Sequence, residues 1–219
     1  MTQSSALPHL VLLPGLVCDA RMWAPQMASL ADIVQTSVGD LTGADNIAAL
    51  AASVVAKAPA GRFALAGLSM GGYVALEIMR LAPERVAGLA LLDTTARPDT
   101  PEATQNRLKA MTRAESDYTG VLTDLLPKLL HPNQLDDKSI TGLLVEMGED
   151  AGKEVFKRQQ TAIIGRADSR PFLNNIHCPT LVLCGAEDLI TPREVHEEIA
   201  ESIPGARVTV IKQCGHIST

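Results

Sequence analysis

"RFALAGLSMGGYVALEIMRLAPERV", Arg62 to Val86, decides the fold. Its opening residues read as a buried strand, and Met70 to Leu81 reads as a helix that stops before Pro83. Between them Gly67, Gly71 and Gly72 crowd one serine, Ser69, in the pattern Gly-x-Ser-x-Gly, with bulky Leu68 and Met70 at the variable positions. A plain strand-to-helix turn needs one glycine and a polar cap. Glycines on both sides of a hydroxyl indicate a tightly bent backbone that holds Ser69 up for chemistry.

Outward from this turn, short apolar runs alternate with helical patterns. The strand candidates are "HLVLL" (His9–Leu13), "IVQTSV" (Ile33–Val38), "RFALAG" (Arg62–Gly67), "VAGLALL" (Val86–Leu92), "TLVLCG" (Thr180–Gly185) and "RVTVIK" (Arg207–Lys212). Most are nearly continuous in apolar residues, as strands buried on both faces of a parallel sheet are. Helix ends are readable too. Asp45 is expected to cap "NIAALAASVVAKA", which Pro59 stops. Thr191 is expected to cap "REVHEEIAESI", with Pro192 in the first turn and Glu194 closing a capping box. Such alternation predicts a doubly wound α/β fold with a mostly parallel sheet of about six strands.

The alternation breaks once. From Pro98 to Arg170 only helical patterns occur, over too long a stretch for a loop. Residues 1–97 and 171–219 are therefore expected to form the core and residues 98–170 a helical cap insertion. Its leucines and methionines (Met111, Leu125, Leu126, Leu129, Leu143, Met147) sit at helical spacing. Most should pack internally, while a subset lines an acyl pocket.

Composition narrows the function. The 219 residues, 46% of them hydrophobic, suit one domain with an insertion. A net charge of −6 without a Lys/Arg cluster argues against nucleic acid and anionic membranes. No apolar run has the length of a membrane span, and "MTQSSALPHLVLLPG" lacks the basic start of a signal peptide, so a cytoplasmic location is expected. Cys18, Cys178, Cys184 and Cys214 have no metal-ligand spacing and are expected to be free, packed thiols.

An alcohol side chain is a weak nucleophile at neutral pH. It needs a base within hydrogen-bond reach, and the base needs a third group to fix its tautomer. A doubly wound sheet offers such groups on the loops at its carboxyl edge. After "TLVLCG" comes "AEDLITP" with Asp188, and after "RVTVIK" comes "QCGHIST" with His216. Asp188 is preferred to its neighbour Glu187. Asp93, ending "LALLD", stays open as an alternative acid, with capping the entry to the insertion as its other role. Among His9, His131, His177, His196 and His216, only the last lies beyond the final strand. Cys18 and Cys214 read as small packing residues. Trp23 reads as a packing residue of the first helix, with substrate contact as the alternative.

Gly-x-Ser-x-Gly between strand and helix, with Ser, Asp and His in that chain order, resembles the α/β-hydrolases from about Pro8 onward. The chain is similar to the small carboxylesterases, the pimeloyl-carrier-protein methyl esterases and the enol-lactonases. The resemblance implies Ser69 as nucleophile, His216 as general base and then acid, and Asp188 as the partner that orients it. It implies two backbone N–H groups for the oxyanion, those of Met70 and of Leu16 in "LPGLVCDARMW". Here the sequence departs from the commonest pattern, having Pro14-Gly15 where His-Gly is usual, so whatever that histidine anchors must be anchored otherwise.

The implied activity is hydrolysis of small carboxylic esters through an acyl-enzyme, with a small-molecule ester as substrate and no metal or organic cofactor. Ser69 counts against relatives that use an aspartate nucleophile. Lactone, thioester or carbon–carbon hydrolysis on the same residues stays open. So do a silent ligand-binding protein and a weakly active fragment. An aromatic content of 3% favours an aliphatic pocket. The sequence ends soon after His216, where similar hydrolases continue with a helix, so a face left uncovered and a homo-oligomer through it are expected.

Overall fold

The computed structural model describes residues 7–219, and each of the six apolar runs is a strand: β1 (His9–Leu13), β2 (Gln35–Val38), β3 (Phe63–Leu68), β4 (Val86–Leu92), β5 (Thr180–Gly185) and β6 (Arg207–Ile211). All pair in parallel, in the order β2-β1-β3-β4-β5-β6. The second strand is shorter than its apolar run. The N–H groups of Ile33 and Val34 both donate to the Leu30 carbonyl at 3.0 Å, which leaves Ile33 in a turn and 62% exposed.

The helices are α1 (Ala24–Leu30), α2 (Ile47–Lys57), α3 (Met70–Leu81), α4 (Pro101–Ala114), α5 (Tyr118–Leu129), α6 (Lys138–Ala151), α7 (Lys153–Ile164) and α8 (Arg193–Ser202). Two of their starts differ from expectation. Asn46, not Asp45, caps α2, its side chain accepting from the Ala49 N–H at 2.8 Å. Both residue types cap well, and register along the chain decided between them. Thr191 does not cap α8, which begins at Arg193 without a side-chain cap. Its hydroxyl is turned instead to Asp188, 2.7 Å away.

Alternation of side chains along the strands explains the near-continuous apolar runs. Val11, Leu13, Leu65, Leu89, Leu91 and Val182 face one core with α2, α3 and α8. Leu12, Ala66, Leu68 and Leu92 face the other with Met22, Trp23 and Met147. Trp23 is 2% exposed and packs where the sequence suggested. Each such buried leucine contributes about 1.5–3 kcal/mol relative to exposure. Toward the β6 edge the second face is thinner, and Leu181 stays 39% exposed.

Helices α4 to α7 all lie between β4 and β5. They hold together through a small core of Ala114, Val121, Leu122 and Phe156, to which Val17 from the loop after β1 contributes. Tyr118 braces the group by stacking obliquely on Phe156, ring centroids 5.6 Å apart, and donating to the Gly148 carbonyl at 2.7 Å. Among the described residues no helix is long and apolar enough to cross a membrane.

Candidate functional site

The chain changes winding direction between β1 and β3, so the loops leaving these neighbouring strands part at the carboxyl edge and open a crevice. Ser69 stands there with φ 52° and ψ −114°, a backbone strained for a non-glycine residue and costing about 1–3 kcal/mol. The strain persists because the turn is overdetermined. Ser69 N–H donates to the Leu92 carbonyl at 2.9 Å, and the Ser69 carbonyl accepts from the Thr94 hydroxyl at 2.8 Å. Two glycines permit the bend: a Cβ at Gly67 would run into the Gly71 carbonyl, and one at Gly71 into the Leu13 carbonyl.

His216, 1% exposed, lies on the loop after β6 with its Nε2 2.7 Å from Ser69 Oγ. Its Nδ1 lies 2.8 and 2.9 Å from the two oxygens of Asp188, on the loop after β5. An ionised carboxylate only accepts, so the imidazole proton sits on Nδ1 and the Nε2 lone pair is turned to the serine hydroxyl. Burial pushes the Asp188 carboxyl up, but its bonds to His216 and Thr191 outweigh this and hold it below the ordinary 3.8. The donors from Thr191 are its N–H at 2.9 Å and its hydroxyl at 2.7 Å; Ile190 N–H adds a third at 2.8 Å. The histidine loop is itself fastened by α5. The Leu129 carbonyl, at the helix C-terminus where intrahelical partners run out, accepts from His216 N–H at 2.8 Å and Ile217 N–H at 3.1 Å.

The loop after β1 runs beside the serine: a side chain added at Gly15 would meet Ser69 Cβ at 3.8 Å. Its anchor is Gln159 of α7, 1% exposed, a residue that no local sequence pattern marks. Gln159 Oε1 accepts from Val17 N–H at 2.7 Å, and its Nε2 donates to the Leu41 carbonyl at 2.9 Å. This fixes Val17 at φ 49° and leaves the preceding amide, that of Leu16, without a partner among the described residues. Met70 N–H, first in α3, is likewise unpartnered, at the positive end of the helix dipole.

A cavity of about 110 Å³ opens over Ser69 and His216. Of the residues singled out by spacing between β4 and β5, Leu125, Leu126 and Leu129 line it, joined by Leu122 and Leu144. Met111, Leu143 and Met147 pack within the cores instead, and Trp23 is not part of the cavity wall.

The alternatives have other duties. Asp93 is fully buried; it accepts from Gly185 N–H at 2.9 Å and from the Ser218 hydroxyl and N–H, tying the end of β4 to β5 and to the histidine loop. Burial raises its carboxyl to about 6. His196, fully buried, accepts from Thr94 N–H at 2.9 Å and donates to the Pro192 carbonyl at 3.3 Å, and burial keeps its pKa below the ordinary value. His9 pairs with Ser37, and His131 accepts from Asn133 N–H. The four cysteines are free, with Cys18 and Cys178 only half-buried by surface. Cys18 lies on the cavity wall, but desolvation of its thiol, with the charge of neighbouring Asp19, raises it to about 12, which keeps it protonated at neutral pH.

With this geometry in view, the likeness to known proteins is informative. A family model described as the alpha/beta hydrolase family matches residues 10–219. A pimeloyl-[acyl-carrier protein] methyl ester esterase of Nitrosomonas europaea is 27% identical over 95% of this chain and 88% of its own length. A thermophilic esterase from Thermogutta terrifontis superposes with a TM-score of 0.87 at 31% identity, over 97% of this chain and 84% of that one. The enol-lactonase from Burkholderia xenovorans LB400 superposes with a TM-score of 0.88 at 26% identity, over 99% and 86%.

Proposed function

The chain belongs to the alpha/beta hydrolase family, and from that premise we propose that it hydrolyses small carboxylic esters through an acyl-enzyme on Ser69. The observation that carries this reading is the continuous hydrogen-bonded chain from Ser69 Oγ through His216 to Asp188, at 2.7 Å and then 2.8–2.9 Å. Ser69 Oγ attacks the ester carbonyl as its proton passes to His216 Nε2. The imidazolium, its charge balanced by Asp188, returns that proton to the leaving alkoxide. Water then attacks the acyl-enzyme, giving its proton to His216, and the acid leaves as Ser69 recovers a proton. In both steps the amides of Leu16 and Met70 receive the oxyanion, each such donor contributing about 2.7–4 kcal/mol to the barrier reduction.

In this scheme residues 98–170 act as the cap that excludes water from Ser69. A lactone takes the same path with its leaving alkoxide still tethered, a second reading supported by the likeness to the enol-lactonase. Steady-state hydrolysis of a p-nitrophenyl ester series tests the proposal. The native protein is expected to turn over short aliphatic esters, and Ser69→Ala to lose about four to six orders of magnitude in kcat. Equal rates in the two proteins would remove Ser69 from the mechanism.

A further inference from the structure

The cavity over Ser69 is walled mainly by leucine and isoleucine, yet Arg107 of α4 and Gln160 of α7 belong to the same wall. Arg107 Nε donates to the Asp99 oxygens at 3.2 and 3.3 Å, and Nη1 donates to Gln160 Oε1 at 2.8 Å. Because a guanidinium has donors only, this contact sets the Gln160 amide with its oxygen toward Arg107 and leaves Nε2 as a donor. Gln160 is only 3% exposed. Among the described residues neither its Nε2 nor Arg107 Nη2 has a protein acceptor, and neither atom is sealed in the interior.

The charges there do not balance. Asp99, its side chain 2% exposed, is shared between Arg107 and Arg166, whose Nη1 lies 2.7 Å from it. Arg166 is otherwise engaged, donating to the Arg97 and Ile163 carbonyls and lying 4.5 Å from the centre of the Tyr73 ring. Two guanidiniums on one carboxylate leave one positive charge over, and Arg107 is the member that reaches the cavity. Among the described residues no aspartate or glutamate lines that cavity. Two donors without protein acceptors and an excess positive charge, on a side chain 22% exposed, suit a ligand that supplies acceptors and negative charge.

We propose that the site takes esters bearing a second, free carboxylate, the half-esters of aliphatic dicarboxylic acids, with that carboxylate bound by Arg107 Nη2 and Gln160 Nε2. The inference rests on the esterase reading of Ser69. The aliphatic stretch of such a substrate lies along the leucine wall, and its carboxylate completes the Arg107–Asp99–Arg166 group.

The test compares mono-p-nitrophenyl glutarate with p-nitrophenyl valerate, similar in length and differing in charge. The ratio of their kcat/KM values is read in the native protein, Arg107→Met, Arg107→Lys and Gln160→Leu. The native ratio is expected to favour the anionic ester. Arg107→Met should lower the ratio on the order of 10- to 100-fold, mostly through KM of the anionic ester, as loss of a charged hydrogen bond does. Arg107→Lys should restore part of it, and Gln160→Leu should lower it less. One ratio across all four proteins would overturn the proposal. Calorimetric binding of monomethyl glutarate to Ser69→Ala, with and without Arg107→Met, reads recognition apart from chemistry. Binding lost with Arg107 supports the carboxylate site even if neither ester is hydrolysed, an outcome that would refute only the esterase reading; no binding to Ser69→Ala refutes the site.

Discussion

Gln159→Leu isolates what holds the loop after β1. The substitution removes the acceptor of Val17 N–H and the donor to the Leu41 carbonyl, in surroundings where Val17 is 6% and Leu41 1% exposed. Each buried group left without a partner costs about 1–3 kcal/mol, so the pair costs about 2–6 kcal/mol where water does not enter. For a domain of this size Tm falls roughly 2–4 °C per kcal/mol. Activity should fall further than stability explains, because the freed loop no longer presents the Leu16 amide. Loss of one oxyanion donor corresponds to about 10²–10³ in kcat. Gln159→Glu refines the test. A carboxylate there keeps the bond from Val17 but opposes the Leu41 carbonyl; burial raises its pKa, so the defect should grow as pH rises above about 4.3 and ease below it. Thermal unfolding and p-nitrophenyl acetate turnover below the midpoint measure both quantities. A Gln159→Leu protein that loses stability but keeps native kcat would refute the role given to Leu16.

Thr191→Val removes the hydroxyl that donates to Asp188 at 2.7 Å, a hydrogen bond to a charged group contributing about 1.5–3 kcal/mol at neutral pH. Asp188 has a depressed pKa, so this advantage of the native protein is present above the ordinary 3.8 and fades as pH falls through the lower folded value, which urea unfolding at several pH values would detect. Asp93 has the opposite sign. Held at about 6 against 3.8, it makes the fold bind more protons than the unfolded chain in that window, so stability declines as pH rises through it. Between pH 7 and pH 4 the native protein should gain about 2 kcal/mol relative to Asp93→Asn, and parallel pH profiles would contradict the assignment.

The strands were legible because a doubly wound sheet buries both faces and leaves apolar runs that local pattern detects. Ser69, Asp188 and His216 were legible because that topology sends strand ends to one edge, so position after a strand stands for position in space. Gln159 had no such signal. It is one polar residue on a helix, and its partner Val17 is 142 positions away. The same holds for the Leu129 carbonyl, since any helix end has spare acceptors and nothing local says which loop will use them. Thr191 was visible but misread: a threonine before proline near a helix start looks like a cap, whereas three residues after Asp188 it is also placed to support that carboxylate. Of the leucines and methionines of α4 to α6 some line the cavity and others pack in the cores, a division that spacing alone could not make.

The decisive measurement is intact mass after incubation with a fluorophosphonate, on the native protein and on Ser69→Ala. Single stoichiometric phosphonylation of the native chain, absent in Ser69→Ala, is the expected result for an activated serine. An unlabelled native protein that is folded by circular dichroism, or equal labelling of both proteins, would contradict the role given to Ser69.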